Sequence, residues 1–225
     1  MRIVTLMSGG LDSAVLVAQQ LADGHAVVPF AVDYGQRHRV ELHAAQKVRD
    51  EYARRWPNAV GPLMLADLTS ITRLFNTSSQ TNDSIPVPEG HYQAESMKVT
   101  VVPNRNMMML SVAIAHAVSA KADAVALAVH GGDHAIYPDC RPSFIQRMSM
   151  AALLCDWHPV VLLAPFLGRT KVGIVQLGQE LNVPFATTWS CYNGRALQCG
   201  RCGTCTERRE AFQLAGINDP TSYEE

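Results

Sequence analysis

The chain alternates between short apolar runs and longer segments in which apolar residues follow a helical spacing. Short apolar runs that end at glycine, proline or polar residues favour buried strands, whereas apolar positions three or four residues apart favour helices. The predicted strands cover residues 3–7, 26–32, 63–65, 124–129 and 160–163, and the predicted helices cover residues 12–23, 40–56, 106–120, 142–156 and 170–181, with one helical turn within 68–75. This alternation predicts a doubly wound α/β fold whose mainly parallel sheet is covered on both faces.

Two stretches depart from this pattern. Residues 76–98 are dominated by Asn, Ser, Thr, Asp, Pro and Gly and have no sustained period, which predicts a lid over the site. Residues 186–225 carry four of the six cysteines, and we expect them to form a small metal-binding appendage rather than an independent domain. The whole chain, residues 1–225, is therefore predicted to be a single domain with no internal repeat.

Charge and hydropathy narrow the classes of partner. The 225 residues include 19 Lys and Arg against 20 Asp and Glu, so no basic surface for a nucleic-acid partner is expected. The most apolar helical stretch, residues 107–120, is too short to span a bilayer, so no membrane partner is expected. The N-terminal residues do not have the pattern of an export signal, and a cytoplasmic location with reduced or metal-bound cysteines is predicted.

A glycine-rich turn lies where the first predicted strand meets the first predicted helix. It consists of Ser8, Gly9, Gly10, Leu11, Asp12 and Ser13. Glycines let a backbone approach a ligand closely, and the amides of a helix N-terminus attract phosphate. The turn has no lysine of the Walker type, and it is similar instead to the SGGxDS loop of the PP-loop ATP pyrophosphatases, which release pyrophosphate and leave AMP on the substrate. We therefore expect ATP here, with Asp12 orienting the loop or helping to hold Mg²⁺.

The C-terminal cysteines predict a closed metal site. Cys191, Cys199, Cys202 and Cys205 follow the spacing C-x7-C-x2-C-x2-C, and short C-x2-C turns bring pairs of thiolates to one ion. A structural Zn²⁺ is the favoured interpretation, while an iron–sulfur cluster and a redox or persulfide-carrying cysteine pair stay open. Cys155 lies in an apolar helix and is expected to be a buried, inert thiol.

Polar residues that follow the predicted strands are candidate ligand contacts, because ligands of open α/β sheets gather beyond the carboxyl ends of the strands. The candidates after the second strand are Gln36 and His38, although a solvated loop explains them equally well. Arg105, between Asn104 and Asn106, opens the helix after the predicted lid, where either Asn is a candidate N-cap and Asn106 a candidate ligand contact.

Two further groups of residues are candidates on chemical grounds. Asp133, Tyr137, Asp139 and Arg141 follow the fourth strand, and carboxylates there suit the N–H groups of a guanine-like edge, with a capped turn as the structural alternative. Lys171 begins a predicted helix, where its charge opposes the helix dipole, and a bound phosphate would relieve that conflict.

In order along the chain, these segments resemble the 7-cyano-7-deazaguanine synthases of the PP-loop ATP pyrophosphatase superfamily. The matching motifs are SGGLDS (8–13), DYGQRH (33–38), PNRN (103–106), YPDCR (137–141), SCYNG (190–194) and CGRCGTC (199–205). Residues 132–136 depart from the run that many members carry before YPDCR, which leaves the substrate contacts open.

The resemblance implies a cytoplasmic homodimer that uses ATP to convert 7-carboxy-7-deazaguanine and ammonia into the nitrile, 7-cyano-7-deazaguanine, through adenylated intermediates. It also implies that residues 8–13 hold the triphosphate and that the four C-terminal cysteines hold zinc. Asp12, Lys171 and Arg105 are the candidate catalytic residues, the two cations as neutralisers of phosphate charge. The rival functions are a PP-loop tRNA sulfurtransferase and a relative that attaches a deazapurine to a protein amine.

Overall fold

Five short strands rich in Val, Ile, Leu and Ala form the centre of the computed structural model, which describes residues 1–224. The strands are β1 (Arg2–Leu6), β2 (Ala26–Asp33), β3 (Met64–Asp67), β4 (Ala124–Ala126) and β5 (Val161–Leu163). They pair in the order β3-β2-β1-β4-β5, and every pair is parallel. The predicted parallel sheet is therefore confirmed.

Seven helices connect and flank these strands. They are α1 (Leu11–Ala22), α2 (Val40–Arg55), the single turn α3 (Thr69–Thr72), α4 (Arg105–Ser119), α5 (Pro142–Leu154), α6 (Lys171–Glu180) and α7 (Gly203–Ala215). Successive strand residues face opposite sides of a sheet, so Ile3 packs in a core with α1, α6 and α7, while Val4 packs in a second core with α4 and α5. Both faces of the sheet are covered, as the doubly wound fold requires.

The C-terminal tail is part of the body of the protein. Sequence analysis gave no helix beyond residue 181, yet α7 packs against α6 and buries Ala211 and Phe212 in the core with α1. Arg208 of α7 is fully buried, and it donates hydrogen bonds to Thr188 Oγ1 at 2.7 Å and to the Phe185 carbonyl at 3.0 Å. The cysteine-rich segment is thus anchored by α7. The apolar face of this helix was not recognised in the sequence, because the cysteine motif extends into its first turn.

Residues 76–98, the predicted lid, are joined to the body of the protein by individual contacts, and their role as a lid stays a prediction. Gln80 is fully buried and donates a hydrogen bond to the Thr100 carbonyl at 2.8 Å. Farther along, the Gly90 amide donates to the Arg201 carbonyl at 3.0 Å, and Glu89 forms an ion pair with Arg201 at 2.6 Å. Without regular periodicity, the segment is held by individual hydrogen bonds, which composition alone does not reveal.

Three local predictions are corrected by the structure. Cys155 follows the last residue of α5 and is exposed, so it is not a buried thiol. Asn104 precedes α4 in a left-handed conformation (φ 57°) and does not cap the helix with its side chain, nor does Asn106. The cap comes instead from Asp139, whose Oδ2 accepts a hydrogen bond from the Asn106 amide at 2.9 Å.

No helix within residues 1–224 has the length and apolar character needed to cross a membrane.

The strand order places a crevice between β1 and β4. β1 leads outward to β2 on one side, while β4 leads to β5 on the other, so their connections diverge beyond the carboxyl ends of the two strands. Ligands of doubly wound folds bind at such a switch point. The turn between β1 and α1 lies at this point.

Gly9 is fixed in this turn by both conformation and space. Its φ is +91°, and a Cβ added there would lie 2.2 Å from the Glu41 carbonyl oxygen and 2.5 Å from the Ala45 amide nitrogen. These are backbone atoms of α2, which cannot rotate away. The start of α2 therefore packs directly on the turn.

We predict that Gly9→Ala destabilises the fold more than Gly24→Ala does. Gly24 has a similar φ of +80° but no atom within 4 Å of an added Cβ, so it isolates the conformational penalty. Urea unfolding should show a loss of about 1–2 kcal/mol for Gly24→Ala and roughly 1–3 kcal/mol more for Gly9→Ala, because of the added clash. Equal losses would show that the close contact with α2 does not matter for stability.

Candidate active site

A cleft of about 230 Å³ opens at the carboxyl ends of β1, β2 and β4. Its chemically important lining residues are Ser8, Gly10, Leu11, Asp12, Ser13, Tyr34, His38, Glu41, Tyr92, Arg105, Asn106, His130, Asp133, Cys140, Lys171, Trp189, Tyr192, Thr204 and Glu207. Most of the predicted loop lies in this wall, together with Asp12, Lys171, Arg105, His38, Asn106 and Asp133.

The turn at residues 8–13 is preorganised for an anion. Ser8 Oγ accepts the Gly10 amide at 3.2 Å, and Ser13 Oγ donates to the Gly10 carbonyl at 3.0 Å. Gly10 precedes α1 and offers no side-chain cap, so the first amides of α1 have no intrahelical or capping acceptor. Phosphate oxygens are the ligands that such a helix start favours.

An ion-pair cluster lies beside this turn. Lys171 Nζ, at the start of α6, is 2.6 Å from Asp12 Oδ2 and 3.2 Å from Glu207 Oε2. Burial opposes ionisation of Asp12, but the Lys171 ammonium outweighs it, and the pKa of Asp12 lies below its ordinary value. Burial also disfavours the Lys171 ammonium, yet the two carboxylates hold its pKa above the usual range. The positive charge of Lys171 at the positive end of the α6 dipole is thus offset by the carboxylates of Asp12 and Glu207.

His130 joins this cluster to Asp133. The Gly132 amide donates to His130 Nδ1 at 3.1 Å, so a neutral ring carries its proton on Nε2. Nε2 faces three carboxylates at 3.6 to 4.0 Å, those of Asp133, Asp12 and Glu207. Both oxygens of Asp133 are occupied, since Oδ1 accepts from the Tyr92 hydroxyl and Oδ2 from the His130 amide, each at 3.0 Å.

Arg105 gives a second part of the cleft a positive charge. Its Nη1 donates to Gln80 Oε1 at 3.3 Å, and the guanidinium lies over the Tyr137 ring at 5.7 Å. Among residues 1–224, no carboxylate oxygen lies within 4.0 Å of its nitrogens, so the half-buried cation has no ion-pair partner. An enclosed guanidinium without a carboxylate favours an anionic ligand.

Glu41, His38 and Gln36 form a buried polar group near Arg105. Gln36 Nε2 donates to Glu41 Oε1 at 3.0 Å, and His38 Nε2 lies 3.6 Å from the same oxygen. Burial raises the pKa of Glu41 to about 8. Burial, with Arg105 and Arg37 nearby, lowers the pKa of His38 to about 3, so this ring is neutral.

The C-terminal tail forms one wall of the cleft. The Trp189 amide donates to the Gly9 carbonyl at 2.9 Å. A Cβ on Gly194 would lie 2.5 Å from the Arg37 carbonyl oxygen, so the tail is in tight contact with the loop after β2. Tyr192 packs on the His38 ring at 5.2 Å. The tail thus contacts both the turn at residues 8–13, called the phosphate turn below, and the buried polar group of Glu41, His38 and Gln36.

The four tail cysteines are arranged for a single metal ion. Their sulfurs are buried and all lie within 4.8 Å of one another, with Cys191 and Cys202 at 4.0 Å. Tetrahedral Zn–S bonds of about 2.3 Å require sulfurs roughly 3.8 Å apart, whereas an iron–sulfur cluster holds its cysteines farther apart. The spacing of the four sulfurs therefore suits one tetrahedral ion.

Four predicted substrate residues lie behind the lining. Gln36 orients Glu41, and Asp139 caps α4. The Tyr137 hydroxyl hydrogen-bonds with Thr100 Oγ1 at 2.7 Å and with the Tyr192 hydroxyl at 3.2 Å. Arg141 is exposed and donates to the His134 carbonyl at 2.9 Å. In this structure these residues support the cleft, and a direct role in substrate binding stays a prediction.

Sequence reasoning missed two carboxyl groups and a histidine in the cleft. Glu41 lies three residues beyond the DYGQRH motif, and His130 lies directly before Gly131 at the exit of β4, so both had a positional signal. Glu207 had none, because it lies in the first half of a helix that the cysteine motif obscured.

Comparison with known sequences extends over nearly the whole chain. Residues 2–216 match the family described as Queuosine biosynthesis protein QueC. Relatives named 7-cyano-7-deazaguanine synthase occur in Hahella chejuensis, 48% identical over 99% of this chain and 93% of the relative, and in Rhizobium etli, 50% identical over 100% and 93%. The relative of that name from Brucella ovis is 50% identical over 100% of this chain and 94% of its own length.

Solved structures share the fold at much lower identity. The U34-tRNA thiolase NcsA from Methanococcus maripaludis, described with its [4Fe-4S] cluster, is 13% identical with a TM-score of 0.50, and covers 100% of this chain and 78% of its own. The NMN synthetase from Francisella tularensis is 12% identical with a TM-score of 0.50, over 96% and 77%. These likenesses concern the fold alone. The match over residues 2–216 and the identity of about one half over the full length show that the chain belongs to the QueC family of queuosine biosynthesis proteins.

Proposed function

We propose that this protein is an ATP-dependent ligase that forms 7-cyano-7-deazaguanine from 7-carboxy-7-deazaguanine and ammonia. The observation that carries the proposal is its full-length identity of about one half with relatives named 7-cyano-7-deazaguanine synthase. The cleft supports it, because a phosphate-binding turn and an unpaired guanidinium line the same space. A nucleotide and a carboxylate substrate can therefore meet there.

The chemistry explains why ATP is needed. A carboxylate is a poor electrophile, and oxide is a poor leaving group, whereas AMP leaves readily. The substrate carboxylate attacks the α-phosphorus of ATP and releases pyrophosphate, and ammonia then displaces AMP to give an amide. Activation of the amide oxygen by a second ATP, followed by loss of AMP and protons, gives the nitrile. The protein contributes mainly position and electrostatic stabilisation.

The side chains of the cleft fit these roles. The turn at residues 8–13 would hold the phosphates, and Lys171 would stabilise charge that develops on them. Arg105 would bind the substrate carboxylate or neutralise phosphate charge, since it lacks an ion-pair partner in the described chain. We infer that Mg²⁺ accompanies the nucleotide, because Asp12 Oδ1 is buried beside the turn without a hydrogen-bond partner among the described residues, and carboxylate oxygens are the ligands that Mg²⁺ prefers. His38, Asn106 and Asp133 remain candidate contacts for the deazapurine.

We infer that Zn²⁺ occupies the cysteine cluster in a structural role. The sulfur spacing supports a single ion, and four thiolates leave no open position for substrate. Zinc would hold the tail in place, and the tail carries Trp189, Tyr192 and Glu207 to the cleft. The cytoplasmic location and the absence of a nucleic-acid partner stay predictions from the sequence.

The expected homodimer has a candidate surface on α5 and the edge strand β5. Met150, Leu154 and Trp157 are 61%, 83% and 101% exposed, and Val161 of β5, the strand that contacts α5, is 41% exposed. Residues 142–161 contain only one Arg and one Asp. In a two-fold dimer each patch faces its own copy, so an apolar patch with little charge is suited to self-association. We infer that a second copy of this chain covers it.

Incubation of the purified protein with Mg-ATP, ammonium and 7-carboxy-7-deazaguanine should yield the nitrile by mass spectrometry, with two AMP and two pyrophosphate for each nitrile. Lys171→Met should lower turnover by about 100-fold or more, since it removes a preorganised cation from the phosphate end. A second reaction mixture, which contains a protein amine beside ammonia, tests the rival function of attaching the deazapurine to a protein. Transfer to that amine in preference to ammonia, or no turnover by the folded wild-type protein, would overturn the proposal.

Cys202→Ser should lower the zinc content below one ion per chain and lower the Tm by at least about 5 °C, because structural zinc sites contribute folding free energy. Metal analysis and calorimetry measure both. Cys155→Ser is the matched control, since this thiol is exposed and lies outside the cluster. If Cys202→Ser abolished activity while metal content and Tm stayed unchanged, a catalytic cysteine, as in a sulfurtransferase, would be favoured.

Leu154→Glu combined with Trp157→Glu should convert a dimer to a monomer, because the new charges would face their own copies across the two-fold axis. Light scattering coupled to size-exclusion chromatography measures the mass. Leu214→Glu, on α7, is the control, since Leu214 is also exposed, at 74%, and lies on a different helix. A wild-type monomer, or a double variant that stays dimeric, would contradict this assignment.

A further inference from the structure

Amide formation needs a base, and this further inference rests on the proposed function. Near neutral pH ammonia is present mostly as ammonium, which has no lone pair with which to attack an adenylate. A group in the cleft must take a proton from it. Such a group works best when its pKa lies near the operating pH.

Glu41 has the geometry of such a base. Its side chain is held in one orientation, because Gln36 Nε2 donates to Oε1 at 3.0 Å while Gln36 itself accepts the Tyr34 amide at 2.8 Å and donates to the Val32 carbonyl at 3.2 Å. The residue is 8% exposed and lines the cleft. No hydrogen bond within residues 1–224 involves its second oxygen, Oε2. One carboxyl oxygen is therefore available to a cleft ligand.

The other carboxylates of the cleft are engaged. Asp12 and Glu207 pair with Lys171 at 2.6 and 3.2 Å. Both oxygens of Asp133 accept protein hydrogen bonds. Glu41 has no Lys or Arg nitrogen within 4.0 Å among the described residues. Among the carboxyl groups that line the cleft in the described chain, Glu41 alone has an oxygen without a protein hydrogen bond and no Lys or Arg nitrogen within 4.0 Å.

Burial, rather than the charged and titratable groups around it, keeps the pKa of Glu41 high. His38 on its own segment is neutral, and Asp33 at the end of β2 adds like charge, while Arg105 of α4 and the hydrogen bond from Gln36 act in the opposite direction. Burial is the largest influence, and the net result is a pKa of about 8. Glu41 thus changes protonation state close to neutral pH.

Glu41 also lies next to the phosphate turn. Its carbonyl oxygen would be 2.2 Å from a Cβ on Gly9, so the first turn of α2 contacts the turn that would hold the nucleotide. An adenylate formed there would share the cleft with the Glu41 carboxyl group.

We propose that the Glu41 carboxylate binds ammonium in the cleft and accepts one of its protons. The freed lone pair then forms the C–N bond to the acyl carbon of the adenylate. The acyl C–O bond to AMP breaks, and AMP leaves with that electron pair. The second proton lost from nitrogen goes to water, and Glu41 returns its own proton to solvent before the next turnover.

Hydroxylamine provides the test, because it is a weaker base than ammonia and is already unprotonated at neutral pH. It displaces AMP from an acyl adenylate and gives a hydroxamate without help from a base. Glu41→Gln keeps the volume and an acceptor for Gln36 but removes the basicity. We expect it to lose about 100-fold or more in amide formation from ammonium, while hydroxamate formation falls by less than about 10-fold.

The pH profile gives a second readout. Wild-type kcat/KM for ammonium should fall as the pH decreases below about 8, because Glu41 becomes protonated. In Glu41→Gln the inflection near pH 8 should be absent, and the residual rate should instead follow the fraction of unprotonated ammonia. Glu51→Gln is the matched control, since Glu51 lies on the same helix, outside the cleft lining, and pairs with Arg54.

Equal losses of amide and hydroxamate formation in Glu41→Gln would overturn the inference, since they would show that Glu41 only binds the substrate or supports the fold. Unchanged amide formation would also overturn it. If the wild-type protein formed neither product, the proposed function itself would fail, and that outcome is distinct from a defect confined to the variant.

Discussion

The active-site cleft depends on how closely two segments, the start of α2 and the C-terminal tail, approach Gly9. The start of α2 lies in contact with the face of this residue where a side chain would be, and the tail binds its carbonyl through the Trp189 amide. Only a residue without a side chain permits both contacts in a left-handed conformation. The phosphate turn is therefore held by packing from two sides, and the same packing brings Glu41 and Tyr192 into one space.

The charges in this space are separated into two regions. One region, beside the phosphate turn, contains Lys171 among carboxylates, which together favour a cation-bound polyphosphate. The other contains Arg105 with neutral His38 and the uncharged phenol groups of Tyr34 and Tyr137. Because burial raises the pKa of both phenols, they remain hydrogen-bonding groups without charge. For the proposed substrate, this arrangement would place the carboxylate between the nucleotide and the guanidinium.

The sequence predicted the sheet, most helices and the phosphate turn, because these follow from periodicity and from a motif whose residues are adjacent in the chain. It also predicted the cysteine cluster from spacing. It did not predict that Asp139 would cap α4, that Gln80 would be buried and hydrogen-bonded to Thr100, or that Glu207 would reach Lys171. Each of these depends on contacts between distant segments. Tertiary contacts of individual polar side chains leave no periodic signal in the sequence. The pattern therefore cannot distinguish polar residues that bind a ligand from polar residues that support the walls of the cleft.

The tail contact has a consequence for synthesis of the protein. Gly9 emerges from the ribosome first, while Trp189 and Glu207 follow only after nearly all of the sheet has been translated. A nascent chain that lacks the tail can pair its early strands but has an incomplete wall beside the nucleotide. Contacts of such long sequence separation form late. The catalytic cavity is therefore completed after the scaffold, so unfinished chains would not turn over ATP.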